Sequence, residues 1–301
     1  GVEIHAYKWF NESIRAKGVV QIAHGMAEHA LRYEPFSQFL TSNGYIVYAN
    51  DHRGHGRTYK SNLDKGFLAK NNGFELATKD LTTLTEVIQQ QHRHLPLFLL
   101  GHSFGSFLVR RYIQLFPTDL AGVLISGTGG DPKLIGKIGL SLAKLEKKIK
   151  GPQKESPLMD KLIFGSYNKK ISPKRTNYDF LTRDERVVDD YITDENCGFI
   201  CKTSFYVDLL EGLIKIHRNE EVTKTPKQLP IFLFAGDADP VGDYGKGVQA
   251  VYEQLLQHDC AQVSIKLYEN GRHEMLNETN KEEVYNDILN WMNTILKGEK
   301  L

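Results

Sequence analysis

Cysteine is scarce: only Cys197, Cys201 and Cys260 are present. An odd, sparse set excludes a disulfide framework and suits a reducing compartment, so a cytoplasmic protein with inert thiols is expected. Cys197 and Cys201 are four positions apart. On a helix they would share a face at about 5–6 Å between Cβ atoms, too far for an unstrained bridge. Long apolar runs are also missing, none approaching the ~20 residues that span a bilayer. Neither charge sign dominates, the formal net charge being +1, which removes any bulk bias toward nucleic acid or acidic partners. There is no internal repeat and no low-complexity linker. The clustered histidines His24, His29, His52 and His55 fit neither H-x-H-x-D-H nor H-E-x-x-H, so no metal is expected. The first residue is Gly1, so a processed or missing native N-terminus is expected and the lack of a leader carries little weight.

What is present is ordinary globular composition, 41% hydrophobic and 25% charged over 301 residues, with ample length for a large core. Residues 2–9 alternate and predict an edge strand entering a hairpin. Compact apolar strands are predicted at 18–25, 45–51, 95–101 and 120–127. Helical spacing predicts helices at 32–44, 74–93 and 104–117, the last ended by Pro117. Continuous apolar strands alternating with helices imply a mostly parallel sheet covered on both faces. The rhythm breaks over 129–227, a lysine-rich, helix-like stretch without strong strands. It resumes with strands at 229–236 and 263–269 and helices at 246–257 and 281–296. The expected organisation is one discontinuous α/β core, residues 1–128 and 228–301, interrupted by a helical insertion at 129–227.

The strand at 95–101 runs into GHSFG, residues 101–105, and a helix follows. This is G-x-S-x-G in the strand–turn–helix setting the motif requires, with Gly101 and Gly105 permitting a sharp turn at Ser103. A serine hydroxyl needs a base and a group to orient that base. In this architecture they follow in the order acid, then histidine. Asp237, Asp239 and Asp243 follow the strand at 229–236, and His273 follows the last strand. Spacing alone does not choose among the three aspartates. Acyl transfer also needs oxyanion donors. Phe104 N–H, just after the serine, is one candidate. Met26 N–H, in the loop carried by His24 and Gly25, is the other.

The segments AHGMAEHALRYEPF, YANDHRGHGRT, GHSFGS, GDADPVGD and NGRHEMLNE, in this order, resemble the α/β-hydrolase superfamily. They are most similar to its monoglyceride lipase and lysophospholipase branch, often described as serine-aminopeptidase-like. The resemblance covers nearly the whole chain. It implies an α/β-hydrolase fold, no cofactor, and Asp239 as the acid with Asp237 as fallback. It also implies that the histidine-rich loops shape the oxyanion region, and that His102 is a packed neighbour rather than the base.

The insertion is expected to cap the carboxyl end of the sheet, where such sites lie. Within it, Leu134, Ile138, Leu142, Leu145 and Ile149 recur at helical spacing among many lysines. The expected arrangement is an apolar stripe packed on the core with lysines in water; the sharper reading rests this helix on an anionic membrane. The leading functional expectation is a serine hydrolase cleaving single-acyl lipids, monoacylglycerol or lysophospholipid. A small-ester esterase, thioesterase or aminopeptidase is the alternative, with Asp184, Glu185, Asp189 and Asp190 as acids that could hold a substrate amine. A non-catalytic binding protein on the same fold is the third reading.

Overall fold

The computed structural model describes residues 1–116 and 119–299. Pro117, the expected helix stop, lies outside them. The strands are β1 (Ala6–Trp9), β2 (Gly18–Ala23), β3 (Tyr45–Asn50), β4 (Leu97–His102), β5 (Leu120–Ser126), β6 (Ile231–Gly236) and β7 (Val263–Tyr268). They form one sheet in the order β1-β3-β2-β4-β5-β6-β7. All neighbours are parallel except β1, which runs antiparallel to β3 with Ala6 opposite Asn50. The expected hairpin at residues 2–9 is therefore absent. β1 skips its chain neighbour β2, whose two edges are taken by β3 and β4.

Every residue of β2, β4 and β6 is buried, which explains their largely apolar runs; the exception within β2, Gln21, is held by Leu81 and Thr85 of α2 (Gly73–Gln91). Alternate side chains still serve two different layers, because successive residues of a strand point to opposite faces. Phe98, Leu100, Leu124 and Phe234 face one layer with Phe36 of α1 (Glu34–Ser42) and Trp291 of α10 (Lys281–Leu296). Leu99, Ile125 and Leu233 face the other. They pack with Leu81 of α2 (Gly73–Gln91), Leu108 of α3 (Phe104–Leu115) and Val251 of α9 (Lys246–Gln257).

Five helices stand between β5 and β6: α4 (Lys133–Lys150), α5 (Pro157–Phe164), α6 (Glu185–Thr193), α7 (Thr203–Ile216) and α8 (Asn219–Val222). No strand occurs among the described residues there, only an isolated bridge between Glu155 and Lys202. Helix α7 sends Phe205 and Leu209 into the second core layer. Helix α4 is turned the opposite way from expectation. Leu134, Ile138, Leu145 and Ile149 are 54–74% exposed, while Leu142 alone of the stripe packs against the core and Gly136 and Ala143 face inward. The small residues let α4 lie close to α7, Gly139 approaching Leu210. Periodicity identified the stripe correctly, but the covered face is the one with small side chains. Cys197 and Cys201 lie in the irregular segment between α6 and α7, so they share no helix face.

Candidate active site

Ser103 is the single residue between β4 and α3, at φ 52° and ψ −119°. An L-residue rarely adopts this conformation, and it persists only where the surroundings enforce it. Two close approaches enforce it here. A Cβ on Gly105 would lie 2.1 Å from the Ala23 carbonyl oxygen, and one on Gly101 would lie 2.4 Å from the Gly105 oxygen. Only glycine lets the first turn of α3 settle against the end of β2. The Ser103 N–H donates to the Ser126 carbonyl on β5 at 3.0 Å, fixing the turn to the next strand.

Of the three aspartates after β6, Asp237 and Asp243 are exposed and Asp239 is fully buried. Asp239 Oδ1 accepts the Val241 N–H at 2.8 Å, and Oδ2 lies 3.0 Å from His273 Nδ1. The carboxylate holds the ring proton on Nδ1 and leaves Nε2 with its lone pair. Burial disfavours the charged imidazole, but the facing Asp239 carboxylate and its hydrogen bond outweigh burial and raise the His273 pKa above the ordinary value. Backbone bonds from His273 N to Phe180 O and from Glu274 N to Leu181 O tie this loop to the inserted segment.

The loop after β2 is fixed from beneath by neutral histidines. His24 Nδ1 donates to the Gly25 carbonyl at 2.7 Å, and Nε2 accepts the His52 N–H at 2.9 Å. His52 Nε2 donates back to the His24 carbonyl. Burial pushes the His24 pKa well below its ordinary value, and that of His52 down to about 3. Both nitrogens of His24 are thus engaged within the fold and none is left for a metal. His102 is likewise a neighbour, its Nδ1 3.1 Å from Ser126 Oγ and its ring against that of His273.

Four further residues join the two loops, and sequence reasoning did not find their connection. Glu28 Oε1 accepts the Gly25 N–H at 2.5 Å and the Tyr33 hydroxyl at 2.8 Å. Arg32 Nη1 donates to Glu28 Oε2 at 2.7 Å. The same guanidinium grips Glu274, next to His273, with two bonds of 2.6 and 2.7 Å. The available signal was the spacing E-x-x-x-R in EHALRY, a helical ion-pair spacing, but Glu274 is 242 positions away.

Ser103, His273, Met26 and Phe104 open onto one cavity of about 1270 Å³. Gly25 and His102 also line it. Asp239 stands behind His273, and His24, Gly101 and Gly105 support the walls without lining them. Apolar side chains from the inserted helices, among them Leu142, Met159 and Leu210, complete the enclosure. The arrangement sets a hydroxyl and a carboxylate-backed imidazole on a largely greasy chamber.

The sequence profile of the serine aminopeptidase S33 family matches residues 14–280. The chain belongs to this family. Within it, the chain falls in the monoacylglycerol lipase branch of the α/β-hydrolases. It is 27% identical to a monoacylglycerol lipase of Mycolicibacterium smegmatis over 297 residues, 97% of this chain and 93% of that one. It is 27% identical to the monoglyceride lipase of Rattus norvegicus over 291 residues, 95% and 84% of the two chains. The crystal structure of a thermostable carboxyl esterase from Bacillus coagulans in complex with glycerol superposes with a TM-score of 0.90 at 29% identity, covering 97% and 94%. By family the protein is an ester hydrolase.

Proposed function

We propose that the protein is a serine hydrolase that cleaves single-acyl lipid esters, with monoacylglycerol as the preferred substrate. The observation that carries this reading is the cavity: one large, mostly apolar chamber onto which Ser103 and the Asp239-backed His273 both open. Its volume exceeds the ~300–1,000 Å³ of ordinary small-molecule pockets and leaves ample room for an acyl chain.

In this mechanism Ser103 Oγ attacks the ester carbonyl carbon and its proton passes to His273 Nε2. Asp239 stabilises the imidazolium. The Met26 and Phe104 N–H groups take the developing oxyanion, each such donor contributing roughly 10²–10³ in rate. As the carbon–oxygen bond to the alcohol breaks, His273 returns the proton to the leaving oxygen. Water then repeats the sequence on the acyl-enzyme. No step calls on a metal or organic cofactor.

Residues 129–227 act as a cap over the core formed by 1–128 and 228–301, since α4 and α5 supply much of the cavity lining. Glu28 and Glu274 also line the chamber, two carboxylates against the one guanidinium of Arg32. Lys133, Lys161, Lys174 and Lys246 line it as well and offset these acids, so the support for glycerol over lysophospholipid comes from the relatives, monoacylglycerol lipases in Mycolicibacterium smegmatis and Rattus norvegicus. The aminopeptidase alternative loses its expected anchors: Asp189 pairs with Arg175, Asp184 caps α6, and neither lines the cavity. The outward stripe of α4, set among lysines, supports docking of the cap on an anionic membrane surface. No helix among the described residues is long and apolar enough to cross a membrane.

The test is fatty-acid release from a monoacylglycerol and a matched lysophosphatidylcholine, with Ser103→Ala as blank. Faster release from the monoacylglycerol, absent in the variant, is expected. Retained turnover in Ser103→Ala refutes the serine mechanism, and faster release from the phospholipid refutes the head-group assignment.

A further inference from the structure

Three chemically different metal donors meet where the loop after β2 touches the turn after α6. His29 Nε2 lies 2.8 Å from Asp194 Oδ2, and Cys197 Sγ lies with them so that no pair is more than 4.8 Å apart. His29 and Cys197 are buried, whereas the Asp194 side chain is 33% exposed and gives the cluster an opening to solvent. The Asn196 N–H occupies Asp194 Oδ1 at 2.8 Å, leaving Oδ2 as the oxygen turned to His29. Burial is the largest influence on the Cys197 thiol and keeps it protonated while no cation is bound; of the charges around it, the guanidinium of Arg32 acts most strongly, against the carboxylates of Glu28, Asp194 and Glu274.

We propose that His29, Asp194 and Cys197 form a binding site for a thiophilic divalent cation, with Zn²⁺ as its probe. An imidazole nitrogen, a carboxylate oxygen and a thiolate suit a borderline-soft ion that takes four ligands, solvent filling the fourth position. Binding replaces the thiol proton: Cys–SH and Zn²⁺ give Cys–S–Zn⁺ and H⁺. Zinc–ligand bonds of roughly 2.0–2.3 Å put the donor atoms roughly 3.3–3.6 Å from one another. The His29–Asp194 hydrogen bond therefore opens while Cys197 closes in.

That adjustment reaches the ester site. His29 follows Glu28, which takes the Gly25 N–H. The Gly198 N–H and the Tyr191 hydroxyl both donate to the Ala27 carbonyl, at 2.9 and 3.0 Å. An ion that draws His29 toward Cys197 pulls on both sides of Met26, and turnover falls. This coupling rests on the proposed role of Met26; the binding itself does not.

The test is titration of the intact protein with Co²⁺, read by sulfur-to-cobalt charge-transfer absorption, followed by displacement with Zn²⁺. One site is expected in the wild type and none in Cys197→Ser. Asp194→Asn, which covers the case that the serine variant misfolds, should bind at least tenfold more weakly. Affinity should tighten about tenfold per pH unit, because one thiol proton is released. No band in the wild type, or a band that survives in Cys197→Ser, overturns the proposal and leaves His29 and Asp194 as a hydrogen-bonded pair. Zn²⁺ should slow hydrolysis of a small soluble ester by the wild type and not by Cys197→Ser. Equal slowing of both overturns the coupling.

Discussion

Arg32 and Glu274 make a two-pronged ion pair, at 2.6 and 2.7 Å, between the loop after β2 and the loop that carries His273. Both side chains are nine-tenths or more buried. The pair ties the chain segment that follows Met26 to the residue next to the imidazole of His273. Removing one partner of a buried pair costs about 3–5 kcal/mol, because the other charge is left without a counter-ion. Arg32→Met should lower thermal stability by that order and should cut kcat more than it raises KM. Arg32→Lys keeps the charge but loses the fork. It should recover stability better than kcat. Equal recovery of both, measured by calorimetry and steady-state kinetics, would assign Arg32 to stability alone.

The pH profile follows from His273. In the proposed mechanism its neutral form is the base, and Asp239 holds its pKa above the ordinary value against the opposing effect of burial. Turnover should therefore rise with pH through a midpoint above that of free imidazole. The sign for folding is the reverse. A raised folded-state pKa contributes stability that is fully present below the unfolded value and is lost as pH rises through the folded one. Asp239→Asn should lower kcat by roughly 10⁴. It should also move the acidic limb to lower pH, since burial is then opposed only by the weaker influence of Glu274 and Glu28. A limb that stays in place in the variant would assign it to another group.

Asp208 offers a test of the scaffold away from the chemistry. It lies on α7, accepts the Gly73 N–H at the start of α2 with Oδ1 at 3.0 Å, and leaves Oδ2 buried without a partner. Burial raises its pKa to about 7. The unfolded chain ionises this group near pH 4 and the folded chain does not, so its contribution to stability is lost between those values. Asp208→Asn should stabilise the fold at pH 8 by on the order of a few kcal/mol, with a corresponding rise in Tm, and leave stability unchanged at pH 4. An equal shift at both pH values would show that the carboxyl is not what titrates.

The outward stripe of α4 predicts association with vesicles. Flotation with anionic vesicles at low salt should carry the protein, and Leu145→Ser with Ile149→Ser, exposed and outside the cavity lining, should abolish it while hydrolysis of a soluble ester persists. Binding that is indifferent to both substitutions would move the docking surface elsewhere.

The sheet and its helices were legible in the sequence because buried parallel strands and amphipathic helices write their periods directly into residue order. Ser103 and the loops bearing Asp239 and His273 were legible because each follows a strand end. Choosing Asp239 over its neighbours took a family resemblance, since loop residues two and four apart carry no periodic signal. The orientation of α4 was misread for a related reason. Period shows which side chains share a face, but whether water or protein covers it depends on α7, and there the small residues Gly136, Gly139 and Ala143 decided the contact. The partner of β1 and the grip of Arg32 on Glu274 depend on chain distant in sequence, and no local pattern records them.

The turn at Ser103 is fastened by main chain: its N–H to the Ser126 carbonyl, and Gly105 seated against the carbonyl of Ala23. Joints of this kind survive exchange of the side chains around them. Much of the chamber's wall, by contrast, is side chain carried on α4, α5 and α7. Tool and mould are separately heritable in this protein. Point changes in those three helices can reshape what is admitted, from one acyl length or head group to another, while the hydroxyl stays where the backbone holds it.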